Sequence, residues 1–259
     1  MAQSKGNRVR TTEKSVRILE LLQQRDGAGV TEISEALGMN KSTVHSHLST
    51  LVACGYATQH NQQYHVSTKL LRLGDQVRYR SPLYQASLPA MAWLGKATHR
   101  VVRLYLNDDE SVTLIAQEGH HPNVSRVPLG TRSPMSDSVV GSVMMAGHDD
   151  DQKLPQARDP ETDGETEVPD EFERIRRRGF AVDVDGQTGS TRTFAAAISR
   201  RDGTVVGTLS VSVPADLEER SSSGEKLLRA AERTELSLTS WYDSEVAFSP
   251  KHSSHGYPG

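Results

Sequence analysis

Between positions 41 and 53 the chain carries hydroxyls and imidazoles at a spacing that suits one kind of chemistry, hydrogen bonding to a polar partner with no bond made or broken. Ser42, Thr43, Ser46, Ser49 and Thr50 are short groups that both donate and accept, and His45 sits among them. On a helix of about 3.6 residues per turn, Val44, Leu48, Leu51 and Val52 fall at i, i+4, i+7 and i+8 and make one apolar stripe. The hydroxyls project opposite that stripe, His45 and His47 lie on its two flanks, and Lys41 adds a cation near the helix start. Ser and Thr are weak helix formers, so this face gives up helix propensity that a merely solvated face would keep. Side chains of this reach fit the major groove of DNA, where hydroxyls meet base edges or phosphates without steric conflict.

The elements needed to hold that face are legible around it. Thr11 and Thr12 are candidate caps for a first helix carrying Val16, Ile18, Leu19, Leu21 and Leu22, which ends in the turn-rich "RDGAG". Thr31 is placed to cap a short second helix with Ile33, Ala36 and Leu37, and Gly38 stands where a left-handed residue ends it. Asn40 is placed to cap the hydroxyl-bearing helix. After Gly55 the period changes: "YATQHNQQYHV" alternates about a polar centre from His60 to Gln63, as a small hairpin does. Helix, tight turn, helix and hairpin make a winged helix-turn-helix. Lys5, Arg8 and Arg10 in the N-terminal arm, Lys14 or Arg17 in the first helix, and Gln62 near the hairpin tip are placed to meet double-stranded DNA beside the helix face.

Charge divides the chain in the same way. Residues 1–80 hold eleven Lys and Arg against six Asp and Glu, a net of +5, so the overall −3 leaves −8 for residues 81–259. The polyanion is met by the first part. The second part alternates helical and strand patterns: a helix over Leu83 to Ala97, strands "VVRLYL" and "SVTLIA" joined by Asn107, Asp108 and Asp109, a helix around Ser138 to Ala146, and a helix over "EFERIRRRG". A strand "FAVDV", a hairpin of "TFAAAIS" and "TVVGTLSVSVP" across "RRDG", and a long helix from Ala215 to Tyr242 complete it. The fold class is α+β. Residues 149 to 173 hold eleven acidic residues and almost nothing apolar, and read as disordered, like the tail "SPKHSSHGYPG".

Several function classes are disfavoured. No apolar run reaches a membrane span and the N-terminus lacks a signal-peptide core, so a soluble cytoplasmic protein is expected. The single cysteine, Cys54, excludes an intrachain disulfide and a multi-thiolate zinc site. His45, His47, His60 and His65 follow no zinc spacing, so no metal and no cofactor is expected. With no G-x-S-x-G elbow, HExxH helix or phosphate loop, "GHH" at 119–121 and Asp183 with the nearby serines do not make an enzyme.

The stretch "TEISEALGMNKSTVHSHLSTLVACGYATQHNQQYHVSTKLLRLG" resembles the DNA-binding domain and linker helix of the IclR family of transcriptional regulators. "VGSVMMA", "RIRRRGFAVDVDGQ" and "FAAAISRRDGTVVGTLSVSVP" resemble successive blocks of that family's GAF-like effector-binding domain. The basic arm over 1–10, the flexible acidic insert at 149–170 and the disordered tail over 248–259 are read from composition; the resemblance implies a winged helix-turn-helix over 11–67, a linker helix over 68–81 and an effector domain over 82–247. It implies a homodimer or homotetramer whose operator affinity responds to a small metabolite, commonly a carboxylate, an aromatic acid or a sugar derivative. By position, the effector-binding residues fall on Val139 and Val140 in the loop before the helix at Gly141, and on Asp183, Thr193, Ser210 and Ser212. Ser210 and Ser212 also alternate with Leu209, Val211 and Val213, which puts both hydroxyls on one strand face. Departures from the family pattern are Ser46 where an Arg is usual, His47 for Leu, and Val139 and Val140 in place of a glycine and an alanine, which narrow that corner. The alternative is a regulator that needs no ligand, with a second domain that serves only oligomerisation.

Overall fold

The computed structural model describes residues 9–108, 111–122, 124–147, 168–184, 191–214 and 220–248. Expectations about Lys5, Arg8, Asp109, most of the acidic stretch and the tail beyond Phe248 lie outside the described residues. The chain divides into two compact units, Met1–Val77 and Arg78–Gly259.

In the first unit, α1 (Arg10–Gln24), α2 (Val30–Leu37) and α3 (Lys41–Ala53) are followed by a hairpin of β1 (Ala57–His60) and β2 (Gln63–Val66) and by α4 (Lys69–Tyr79). Ile18, Leu22, Ile33, Val44 and Leu48 are wholly buried together, with Ala28, Leu51, Ala57 and Tyr64 around them. Each large side chain buried this way contributes about 1.5–3 kcal/mol, so the apolar stripes rather than local propensity hold these short helices. Gly38 adopts the left-handed conformation (φ 62°, ψ 37°) that closes α2 and turns the chain into α3, and its N–H bonds the Ser34 carbonyl. Asn61 and Gln62 both have positive φ, 47° and 66°, the signature of a two-residue type I′ turn. Tyr64 also bridges to Ala28, which adds a third short segment to the hairpin.

The helix caps differ from the expected ones. α1 starts at Arg10 with Val9 as its cap residue, so Thr11 and Thr12 lie inside it. Gly29, not Thr31, caps α2, because the Glu32 carboxylate reaches back to the Gly29 N–H at 2.6 Å. Asn40 takes the cap position of α3 by backbone angle alone, without a side-chain bond.

In the second unit, six antiparallel strands order as β5-β4-β3-β8-β7-β6: β3 (Val101–Asp108), β4 (Ser111–Glu118), β5 (Arg132–Pro134), β6 (Ala181–Val184), β7 (Thr191–Ser199) and β8 (Val205–Pro214). On one face α5 (Pro82–Thr98) and α8 (Arg220–Phe248) pack over Val102, Leu104, Phe194, Ala196, Leu209 and Val211. Ser81 caps α5 by accepting from the Tyr84 N–H at 3.3 Å, with Pro82 at the first helical position. On the other face α6 (Val139–Ala146) and α7 (Val168–Arg178) bury Val140, Met144, Phe172 and Ile175. The α+β class and the two-part architecture expected from the sequence are the ones observed. Among the described residues no helix is long and apolar enough to cross a membrane.

Local differences have identifiable causes. Asn107 and Asp108 extend β3 instead of turning, because they pair with Val112 and Ser111 of β4. The stretch read as disordered up to residue 173 already belongs to α7 from Val168, which is anchored by Phe172 (1 % exposed) and Ile175 (5 %). Val139 and Val140 open α6 rather than lying in the loop before it, with Ser138 as the cap. The short strand β5 carries no apolar alternation, so no strand period marks it along the chain.

Candidate functional site

Each unit presents one arrangement of polar groups that its own packing does not account for. In the first, Lys41, Ser42, His45, Ser46, Ser49 and Thr50 of α3 are exposed, and Thr43 is half-buried. With 13 residues, α3 is about 20 Å long, enough to lie in a groove about 12 Å wide. Exposed Arg10 stands at the start of α1, and exposed Gln62 at the tip of the hairpin. Arg8 lies outside the described residues.

The structure separates the two histidines that flank the stripe. His45 is exposed, whereas His47 is buried (8 %), with its Nδ1 2.8 Å from the Ser15 hydroxyl of α1. His47 therefore holds α1 against α3. Val52, placed on the apolar stripe by spacing, is instead 37 % exposed, because the helix is rolled towards His47 and away from Val52. Two hydroxyls of the face are engaged within the helix: Ser46 Oγ donates to the Ser42 carbonyl and Thr50 Oγ1 to the Ser46 carbonyl, both at 3.0 Å.

In the second unit, the sheet face under α6 and α7 carries a polar strip across its centre. Thr208 and Ser210 are wholly buried, Ser212 is nearly so, and all three alternate along β8. Thr193 of β7 pairs in register with Ser212, their hydroxyls 3.1 Å apart, and Asp183 of β6 pairs in register with Thr193. Ala181 and Ala195 lie in the adjoining row, which keeps that row low beside Ser210. Val140 is buried in the apolar cluster of this face, and Val139 is half-buried against it. At the start of α6, Ser138 Oγ accepts from the Gly141 N–H at 3.1 Å. Gly141 is required there because an added Cβ would collide with the Met135 carbonyl.

Spacing did not single out the groups that complete this strip. Arg103 of β3 is 7 % exposed and spans it: Nε donates to Gln117 Oε1 (2.9 Å), one terminal nitrogen to Ser212 Oγ (3.2 Å) and the other to the Ser125 carbonyl (2.7 Å). Tyr105, next on the same face, is half-buried. Burial pushes its phenol above the ordinary 10.0, and the charge of Arg103 and the nearby hydroxyl of Ser210 oppose that shift. An arginine in the middle of the apolar run "VVRLYL" was the available signal. Among the described residues no group of acidic, His and Cys side chains is arranged to hold a metal ion.

Both units match known domains. Residues 11–61 match the IclR helix-turn-helix domain, and residues 76–235 match the bacterial transcriptional regulator IclR C-terminal domain. The chain is 28 % identical to the HTH-type transcriptional regulator BhcR of Paracoccus denitrificans over 217 residues, covering 80 % of this chain and 78 % of the relative. It is 27 % identical to the regulator KdgR of Escherichia coli, covering 76 % and 79 %. Among solved structures it is similar to the IclR protein of Thermotoga maritima (TM-score 0.73, 22 % identity, 88 % and 98 % of the two chains). It is also similar to an IclR homologue of Microbacterium hydrocarbonoxydans complexed with 4-hydroxybenzoate (TM-score 0.70, 21 % identity, 88 % and 98 %).

Proposed function

Since this chain belongs to the IclR family of bacterial DNA-binding transcriptional regulators, we propose that it reads its operator with the outer face of α3 and changes its affinity when a small metabolite occupies the polar strip of the second unit. The observation that carries the reading is this strip, hydroxyls and a guanidinium buried at the centre of a sheet that already has a complete apolar core on its other face. Buried polar groups of this density cost stability unless something hydrogen-bonds them, and a small polar ligand does so. Function here is regulation, not catalysis.

On the DNA side, Ser42, His45, Ser46, Ser49 and Thr50, with Thr43 beside them, face base edges. Lys41, Arg10, Gln62 and Arg8 of the arm meet phosphates. On the ligand side, Asp183, Thr193, Ser210 and Ser212 hold the effector's polar groups, and Val139 and Val140 close one end with an apolar wall. The protein acts in the cytoplasm as a homo-oligomer. Support for a dimer comes from α4, which buries no side chain and exposes Leu73 (36 %) and Val77 (75 %) on one stripe with Leu70.

The test is a genome-wide footprint of the tagged protein, followed by gel shifts on the strongest site with and without the small-molecule fraction of the cell. A pseudo-palindromic site whose affinity changes with that fraction supports the reading. Firm binding that no fraction alters assigns the second unit to assembly alone. Ser210→Val fills the centre of the strip with a methyl pair, and the effector-dependent change in affinity is expected to vanish; a retained change moves the effector elsewhere.

A further inference from the structure

Arg103 carries a buried positive charge with neutral partners only. Its three hydrogen bonds go to an amide oxygen, a hydroxyl and a backbone carbonyl. Among the described residues no carboxylate is paired with it. A guanidinium has five N–H donors, so these bonds leave two, with only the neutral Tyr105 phenol beside them among the described residues. Directly beside it in register is Ser210, whose wholly buried hydroxyl has the Tyr105 phenol beside it, and one step along β8 is Thr208, wholly buried and without a hydrogen bond among the described residues. Burying a charge without a counter-ion is costly, and leaving a buried hydroxyl unpaired close by adds to the cost. A ligand oxyanion removes both penalties, supplying the missing negative charge and acceptors for the spare donors.

Resting on the reading that this strip is the effector site, we propose that Arg103 is the residue that sets its specificity, selecting a metabolite with an oxyanion group, a carboxylate or a phosphate, over neutral analogues. Guanidinium planes pair with such groups through parallel N–H bonds, which a point charge does not reproduce. Ser212 and Gln117 hold the guanidinium by one terminal nitrogen and by Nε, and Ser210 and Thr208 donate to the same anion. The apolar cluster of Val139, Val140 and Met144 on the same sheet face favours an apolar body on the ligand.

The experiment follows the thermal midpoint of the full-length protein against benzoate, pyruvate and glycerol phosphate, with benzamide as the neutral match to benzoate. At about a hundredfold excess over Kd, a bound anion is expected to raise the midpoint by about 5 °C, and benzamide to leave it in place. Benzoate or pyruvate acting alone assigns a carboxylate site, and glycerol phosphate acting alone a phosphate site. In Arg103→Gln, which keeps hydrogen-bond donors and removes the charge, the anion-dependent rise disappears; in Arg103→Lys, which keeps the charge without the fork, part of it remains. A structural role alone would lower the ligand-free midpoint of both variants and preserve the rise.

A wild-type midpoint indifferent to all three anions, equal responses to benzoate and benzamide, or an undiminished rise in Arg103→Gln each overturns the proposal. The gel shift with the cellular small-molecule fraction separates the two levels. Operator affinity that answers to the fraction while the anions do nothing removes Arg103 and keeps the effector site, whereas silence in both removes the site itself.

Discussion

His47 shows how one hydrogen bond reassigns a residue. Its place on the flank of α3 put it beside the polar face, but the Ser15 hydroxyl 2.8 Å away holds it in the α1–α3 seam. His47→Ala is therefore expected to cost the first unit about 1–3 kcal/mol in a urea titration, from the space left in the seam and an unpaired hydroxyl. An unchanged midpoint would show the seam to be unimportant. Glu235 of α8 makes the opposite case, since it is a half-buried acid that stability does not need in charged form. Burial raises it above the ordinary 4.5; the Ser199 N–H, 2.7 Å away, opposes the shift and the charge of Glu232 adds to it. The folded state thus keeps this proton to higher pH than the unfolded chain does, so its stabilising contribution is present below about pH 4.5 and is lost as pH rises through the folded value. Glu235→Gln retains an acceptor for Ser199 and should raise the midpoint at pH 7 by a few degrees while leaving it nearly unchanged at pH 4; a fall at pH 7 would mean that the charged form is the one held.

At the scale of elements, α3 has two faces of opposite character. The buried face is continuous through Val44, His47, Leu48 and Leu51. On the outer face, Ser46 and Thr50 bond back to the helix carbonyls, which leaves Ser42, Thr43 and Ser49 as the hydroxyls with no intrahelical bond among the described residues. Replacing Ser42 and Thr43 together by Ala should weaken operator binding by about 1–3 kcal/mol in a gel-shift titration. The circular-dichroism melt should barely move, because neither side chain belongs to the core. Equal affinity would take this face out of the interface. α4 is the complementary case, a helix that carries apolar residues yet buries no side chain. Val77→Glu is expected to shift the protein from dimer to monomer in sedimentation and to weaken operator binding with it, whereas an unshifted mass would place the dimer interface on another surface.

At the scale of the whole molecule, the charge split makes DNA binding strongly salt-dependent. Removing one cation from a phosphate reduces the slope of log affinity against log salt by about 0.9, so Lys41→Gln should flatten it by about two units in a dimer, and an unaltered slope would place Lys41 off the backbone. Much of this molecule was determined along the chain. Helix and strand periods, Gly38 and the "HNQQ" turn are local signals, and the burial of Val44 or Leu209 follows from side chains that alternate at the period of their element. That is why both units, their order and the polar face of α3 were legible in the sequence. What only the tertiary structure decided is where polar residues meet across elements. Ser15 and His47 are 32 positions apart, and Arg103 and Ser212 are 109 apart. No local period encodes such a pairing, because it depends on the order in which strands join the sheet and on how far each helix rolls as it packs. The polar character of the α3 face was therefore written in the sequence, and the charge at the heart of the polar strip appeared only once the sheet had closed around it.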